Sequence, residues 1–123
     1  MSAFRVPVEI GDPQGLRFET LSALVDTGAT FTWVPRSILE RLGHQPEEEW
    51  EFELADGRRA LYGVAWVPVR LDGMRPRSLP VVFGEEGTEP LLGVFTLEGF
   101  RLGVDAVNER LIPTPGLLKR QSR

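Results

Sequence analysis

Cysteine is absent from this sequence of 123 residues, and histidine occurs once, at His44. The lack of cysteine excludes a thiol nucleophile, a disulfide framework and a thiolate metal site. A single histidine would have to serve any Ser-His-Asp triad, and a metal site would depend mainly on carboxylates. The chain does hold 18 acidic residues. Acid–base chemistry by Asp or Glu is therefore the chemistry that this composition leaves open.

Long apolar runs and an excess of positive charge are also missing. No segment reaches the roughly 18 uninterrupted apolar residues of a membrane span. Because no basic segment leads into an apolar run at the N-terminus, we expect a cytoplasmic protein with no membrane partner. The net charge of −4 argues against nucleic acid as a partner, since phosphate binding needs a basic surface. The length is typical of a single domain.

The pattern that remains is mainly that of β-strands. Apolar and polar residues alternate over residues 4–10, and a turn at 11–15 leads into a returning strand over 16–25. A second hairpin has its tip at Ala55–Arg58, where Asp-Gly is a strong hairpin signal. Further strands are predicted at 59–71, 77–84, 100–105 and 110–113, and helix is limited to 36–43 and a single turn at 94–99.

The outgoing strand of the second hairpin has two different faces. Trp50, Phe52 and Leu54 fall on one face, and the acidic residues between them fall on the other. The acidic run that begins at Glu47 could bind cations, but its alternation with aromatic residues indicates a solvated strand face.

The segment ALVDTGAT, residues 23–30, carries the strongest chemical signal. Three apolar residues place Asp26 at the end of a strand, where a carboxylate is costly to bury unless it is hydrogen-bonded or protonated. Gly28 permits the close approach of another backbone, and Thr27 offers a hydroxyl to a neighbouring chain. Taken alone, the tripeptide Asp-Thr-Gly favours a simple β-turn over a functional motif.

The sequence as a whole resembles the retropepsin-like aspartic proteases, a single-lobed family. Its members have an apolar strand that leads into Asp-Thr-Gly-Ala, then a hairpin flap, then two apolar residues and a glycine ahead of a short helix. Here the corresponding segments are ALVDTGAT at 23–30, the hairpin with its tip at 55–58, and PLLGVFTLEGF at 90–100. The resemblance implies a mainly β, closed-barrel fold with one or two short helices. It also implies a protease domain over residues 1–113 and a C-terminal tail over 114–123.

The resemblance further implies an aspartic endopeptidase in which two carboxylates activate a water molecule. Because the chain has one Asp-Thr-Gly, each subunit of a homodimer would lend Asp26 to a shared site. In that site Thr27 would hydrogen-bond across the dimer axis, and Gly28 would accept the substrate backbone. The substrate would be a peptide or protein, with no metal or organic cofactor. The residues expected to bind the substrate are Ala29, Thr30, Asp56, Gly57 and Leu91.

Two alternatives to a protease stay open at this point. The first is a retropepsin-fold module that dimerises or binds peptide without cleaving it, since a fold does not guarantee a function. The second is a small monomeric β-barrel with an incidental turn at Asp26. Trp33 and Leu91 are candidates for pocket walls, although such residues are more often simply core. His44 is expected to be structural, because no serine is placed to need it.

Overall fold

The computed structural model describes residues 3–114, which form strands and two short helices. The mainly β prediction is confirmed. Of the predicted tail over 114–123, all but Thr114 lies outside the described residues. The elements in chain order are β1 (Arg5–Gly11), β2 (Phe18–Val25), β3 (Thr32–Pro35), α1 (Arg36–Arg41), β4 (Glu48–Glu53), β5 (Arg59–Leu71), β6 (Arg77–Gly84), β7 (Leu91–Leu92), α2 (Val94–Gly99), β8 (Leu102–Asp105) and β9 (Arg110–Pro113).

Among the element boundaries that differ from the prediction, the start of β2 and the end of α1 have identifiable reasons. Strand β2 begins at Phe18, because the Asp12 carboxylate accepts hydrogen bonds from the backbone N–H groups of Leu16 (2.7 Å) and Arg17 (3.0 Å) and keeps both residues in the turn. These bonds, that of Arg17 above all, lower the pKa of Asp12. Helix α1 ends at Arg41, because Gly43 adopts a left-handed conformation with φ of 102°.

The strands from β1 to β7 form one sheet in the order β1-β2-β7-β3-β6-β5-β4, and β5 also pairs with β1. Neighbours joined by a hairpin are antiparallel, whereas β2 pairs with β7, and β3 with β6, in parallel. The parallel register sets Leu24 beside Leu91 and Val25 beside Leu92. The residues that follow these two strands therefore emerge side by side at one edge of the sheet.

The core is built from the inward faces of these strands. His44 is buried (3% exposed), and its Nε2 lies 2.7 Å from the carbonyl oxygen of Gly11. This contact ties the end of α1 to β1, which is the structural role expected of the residue. No helix within residues 3–114 is long and apolar enough to cross a membrane. The largest fully buried side chains include Ile10, Leu39, Val67, Val69, Leu71, Val81, Phe83 and Leu92.

Candidate active site

Asp26 lies immediately after β2, and its backbone is hydrogen-bonded to β7. Its backbone N–H donates to the carbonyl oxygen of Leu92 at 3.1 Å, which continues the parallel pairing of the two strands. The preceding Val25 is buried, whereas Asp26 itself is half-buried. The sheet therefore delivers the carboxylate to its edge, where solvent and a ligand have access to it.

The residues after Asp26 form a tight turn around its carboxylate. Oδ1 of Asp26 accepts a hydrogen bond from the backbone N–H of Gly28 at 2.9 Å, and the Ala29 N–H donates to the Asp26 carbonyl at 3.1 Å. Thr27 and Gly28 are both exposed. Within residues 3–114 the Thr27 hydroxyl has no hydrogen-bond partner. The β-turn interpretation is therefore correct as local geometry, and it leaves the second carboxylate oxygen of Asp26 open for chemistry.

The start of α2 supports this loop from behind. The N–H groups of Val94 and Phe95 donate to the carbonyl oxygens of Ala29 (2.9 Å) and Thr30 (2.8 Å). These are two of the donors at a helix N-terminus that have no partner within the helix. The backbone of Gly93 passes so close to residues 30 and 31 that a side chain at this position has no room. Residues 91–93 thus run behind the Asp26 loop.

A buried pair of threonines completes this support. The Oγ1 atoms of Thr32 and Thr96 lie 2.7 Å apart, and the Gly93 N–H donates to Thr32 Oγ1 at 3.0 Å. Thr32 is 2% exposed and Thr96 is fully buried. Because unpaired polar groups are costly away from water, this network fixes the position of Gly93 relative to β3.

Replacing Thr32 with Val is expected to lower the free energy of unfolding by about 1–3 kcal/mol. The substitution keeps the shape of the side chain but leaves the Gly93 N–H and the Thr96 hydroxyl buried without a partner. Urea unfolding measures the effect. The matched control is Thr96→Val, which preserves the bond from Gly93 to Thr32 and should cost less. Equal losses in the two variants would show that the bond to Gly93 is unimportant.

A groove of about 780 Å³ opens beside the Asp26 loop. Of the residues predicted to bind substrate, Ala29, Thr30 and Leu91 line it, and Trp33 forms part of its wall. The flap hairpin of β4 and β5 covers it from the other side. The complete lining is Gly28, Ala29, Thr30, Phe31, Trp33, Trp50, Glu51, Phe52, Glu53, Leu54, Ala55 and Leu91.

Asp56 and Gly57 lie at the tip of the flap and are not part of this lining. The Asp56 carboxylate accepts hydrogen bonds from the backbone N–H (3.0 Å) and Nε (2.6 Å) of Arg58, and Gly57 has a left-handed φ of 89°. The two bonds from Arg58, the backbone one first, lower the pKa of Asp56. In the free chain, therefore, Asp56 and Gly57 build the turn of the flap and do not contact the groove.

A second cavity, of about 620 Å³, lies on the other side of the loop. It is lined by Asp26 and Thr27, by apolar residues of β2, and by Phe4 and Val104. The β8–β9 hairpin borders it, and Val107 at the turn of that hairpin is 90% exposed. The Asp26 loop thus lies between the groove under the flap and the second cavity, whose lining is largely apolar.

The aromatic residues of the groove were only partly recognised from the sequence. Alternation correctly placed Trp50 and Phe52 on the inner face of β4. Phe31 was missed, although it directly follows the ALVDTGAT segment.

No group of three or more His, Asp or Glu residues within residues 3–114 is arranged to hold a metal ion.

Solved structures of other proteins share this fold, and three of them illustrate the similarity. The simian foamy virus (mac) protease has a TM-score of 0.55 at 22% identity, over 78% of this chain and 93% of its own. The retroviral protease-like domain of Ddi1 from Leishmania major has a TM-score of 0.58 at 20% identity, over 92% and 89%. A retropepsin-like aspartic protease from Rickettsia conorii has a TM-score of 0.56 at 18% identity, over 85% and 88%. The fold is therefore that of the retropepsin-like proteases.

The sequence itself assigns the family. A family model described as aspartyl protease matches residues 6–96, which is well over half of the chain. This protein belongs to that aspartyl protease family. No curated protein matches the sequence at a significant level.

Proposed function

We propose that this chain is one subunit of a homodimeric aspartic endopeptidase in which Asp26 of each subunit contributes to a single site. The observation that carries the proposal is the geometry of the Asp26 loop. A half-buried carboxylate at a sheet edge is fixed through one oxygen by Gly28 and lines the second cavity, while Gly28 of the same loop lines a groove large enough for a peptide. Membership of the aspartyl protease family supports peptide-bond hydrolysis as the reaction.

The need for a second subunit follows from the count of carboxylates. Water activation of this type uses two carboxyl groups that share a proton. In the described part of the chain, the carboxylates that line the groove are Glu51 and Glu53 on the flap, and the second cavity has Asp26 alone. A symmetric dimer supplies the missing group, because a two-fold axis beside the loop brings the partner's Asp26 to the same place.

The surface around the second cavity is suited to that dimer. Thr27 and Gly28 are exposed there, and the Thr27 hydroxyl is available to hydrogen-bond across the axis. The apolar lining contributed by Phe4 and Val104, with the exposed Val107 nearby, gives a partner subunit apolar area to bury. We propose this face as the subunit interface.

In the proposed reaction the ionised carboxylate of the pair takes a proton from water. The oxygen of that water forms a bond to the carbonyl carbon of the substrate, while the protonated carboxyl donates its proton to the carbonyl oxygen. When the carbon–nitrogen bond of the tetrahedral intermediate breaks, the carboxyl group that took the proton from water donates it to the leaving nitrogen. A hydroxyl group of the intermediate returns its proton to the other carboxylate, which leaves a carboxylic acid product and restores the pair. Because one member of the pair is ionised and the other protonated, we propose that the rate peaks below neutral pH.

The remaining predicted residues fit a substrate-binding role. Ala29, Thr30 and Leu91 line the floor of the groove. The flap, with Asp56 and Gly57 at its tip, is proposed to close over an extended peptide and to exclude water. The pairing of β5 with both β6 and β1 supports the closed-barrel arrangement that would hold this floor rigid.

Specific activity is expected to rise with protein concentration and to level off as the dimer saturates. A site that needs two subunits has no activity in the monomer, so activity should follow the dimer fraction measured by sedimentation. Stable dimers that cleave no peptide would favour a peptide-binding module. A protein that stays monomeric at high concentration would favour a small barrel with an incidental turn.

A further inference from the structure

Seven aromatic side chains form one connected group around the groove, here called the aromatic cluster. Phe31 contacts three other rings of the group, with ring centroids 5.3 Å from Trp50, 6.2 Å from Phe52 and 5.7 Å from Phe95. The contacts extend from Phe52 to Trp33 (5.1 Å) and beyond. The members of the cluster are Phe31, Trp33, Trp50, Phe52, Tyr62, Trp66 and Phe95.

The aromatic cluster is separate from the aliphatic core and is only partly shielded from water. Phe31, Trp33 and Phe52 are half-buried, while Phe95 is 44% and Trp66 38% exposed. Apolar surface that is exposed in one continuous patch is typical of a binding site. Because four of these rings line the groove itself, a ligand in the groove would cover them.

Phe31 is held in a fixed place next to the candidate catalytic loop. The bond from the Phe95 N–H to the Thr30 carbonyl fixes the residue before it, and the buried Thr32 fixes the residue after it. Because Phe31 lines the groove next to Gly28, Ala29 and Thr30, a peptide side chain that enters the groove beside the Asp26 loop meets its ring. Aromatic pairs with edge-to-face or offset geometry contribute more than their buried area alone.

The charge around the groove favours a positively charged ligand. Glu51 and Glu53 border it, neither forms an ion pair within the described part of the chain, and no Lys or Arg belongs to the lining. Strand alternation turns their carboxylates to the face of β4 opposite Phe52. They act on a ligand through their field, which at physiological salt extends over about 8 Å.

We propose that the groove selects peptides that carry an aromatic side chain next to a Lys or Arg, and that Phe31 determines the aromatic preference. The proposal rests on the proposed function for the identity of the ligand as a peptide. It extends that function by naming the class of peptide substrate and the residue that determines the preference for an aromatic side chain.

Peptide binding to the Asp26→Asn protein tests the proposal without cleavage, and Trp33 and Trp50 provide a fluorescence signal. The probes are an extended peptide with Phe beside Arg, its Phe→Ala form and its Arg→Glu form. We expect the Phe peptide to bind about tenfold more tightly than the Ala peptide. In Phe31→Ala the difference should shrink to about threefold or less, whereas Phe31→Tyr should retain it because the ring is kept.

The control for surface substitution is Leu16→Ala, which removes a side chain that is 76% exposed, lies in the turn between β1 and β2 and is outside the groove lining. It should leave the preference unchanged. Unaltered discrimination between Phe and Ala in Phe31→Ala would overturn the role of Phe31. Because binding is the readout, this result is distinct from a failure to cleave, which would count against the proposed function alone.

The charge preference has its own test. The Arg peptide should bind more tightly than the Glu peptide at low salt, and the difference should fall at high salt because the carboxylates act at a distance. A double substitution, Glu51→Gln with Glu53→Gln, should remove most of the difference. A preference that survives both the substitutions and high salt would overturn the proposed selection of cationic peptides.

Discussion

Asp26→Asn is expected to lower kcat on a peptide substrate by at least about 1,000-fold while the dimer stays intact. The amide has nearly the shape of the carboxyl group, and its oxygen can still accept the bond from Gly28 that forms the turn. It cannot take a proton from water, and the homodimer of this variant has no pair of carboxyl groups to share a proton. Steady-state cleavage and sedimentation on the same preparation measure the two quantities together.

The matched control is Asp72→Asn in the turn between β5 and β6. Asp72 adopts a left-handed conformation with φ of 54°, which Asn also tolerates, and it lies outside both cavities beside Asp26. Its activity should stay within about twofold of the unsubstituted protein, as for a surface change. Cleavage undiminished in Asp26→Asn would refute the assignment of Asp26 as the catalytic carboxylate.

Gly93→Ala is expected to lower the free energy of unfolding by about 3 kcal/mol or more and the Tm by about 10 °C. A Cβ on Gly93 would lie 2.6 Å from the carbonyl carbon of Phe31, closer still to its oxygen, and 2.9 Å from the oxygen of Thr30. All three contacts are with backbone atoms. Relief therefore requires either α2 or the Asp26 loop to move, and activity should fall with stability. Thermal unfolding followed by circular dichroism gives the size of the effect.

Gly84→Ala is the matched control for this substitution. Gly84 is also buried and has no positive φ, but a Cβ there would meet its nearest neighbours at 3.5 Å, which is ordinary contact. Its Tm should change by only a few degrees. If Gly93→Ala proved no more destabilising than Gly84→Ala, the close approach of α2 to the loop would not be a structural requirement.

The local parts of the fold followed from the sequence because their causes are local. Strand β5 has the predicted bounds, since Asp-Gly turns on both sides and alternation between them define it. Asp26 was chosen as the candidate catalytic residue because apolar residues place it at a strand end and the order of the surrounding segments resembles that of a family. The start of β2 was missed because the Asp12 side chain extends the turn by two bonds that alternation does not reveal.

The walls of the groove could not be predicted, because they are assembled from distant segments. Phe31, Phe52 and Phe95 come from a loop, a strand and a helix, and no periodicity connects them. The predicted contact residues Asp56 and Gly57 illustrate the same limit. They lie at the tip of the hairpin, as predicted. Whether they contact the groove depends on how the aromatic rings beneath the hairpin pack.

Mixing the unsubstituted protein with Asp26→Asn tests most directly whether two copies of Asp26 share one site. After subunits exchange, an equal mixture forms about one quarter of dimers with two intact carboxylates. The account predicts that activity falls to about a quarter of that of the same total amount of unsubstituted protein, and that it varies as the square of the unsubstituted fraction. Activity that falls only to about one half, in proportion to that fraction, would contradict a shared site and assign catalysis to the single chain.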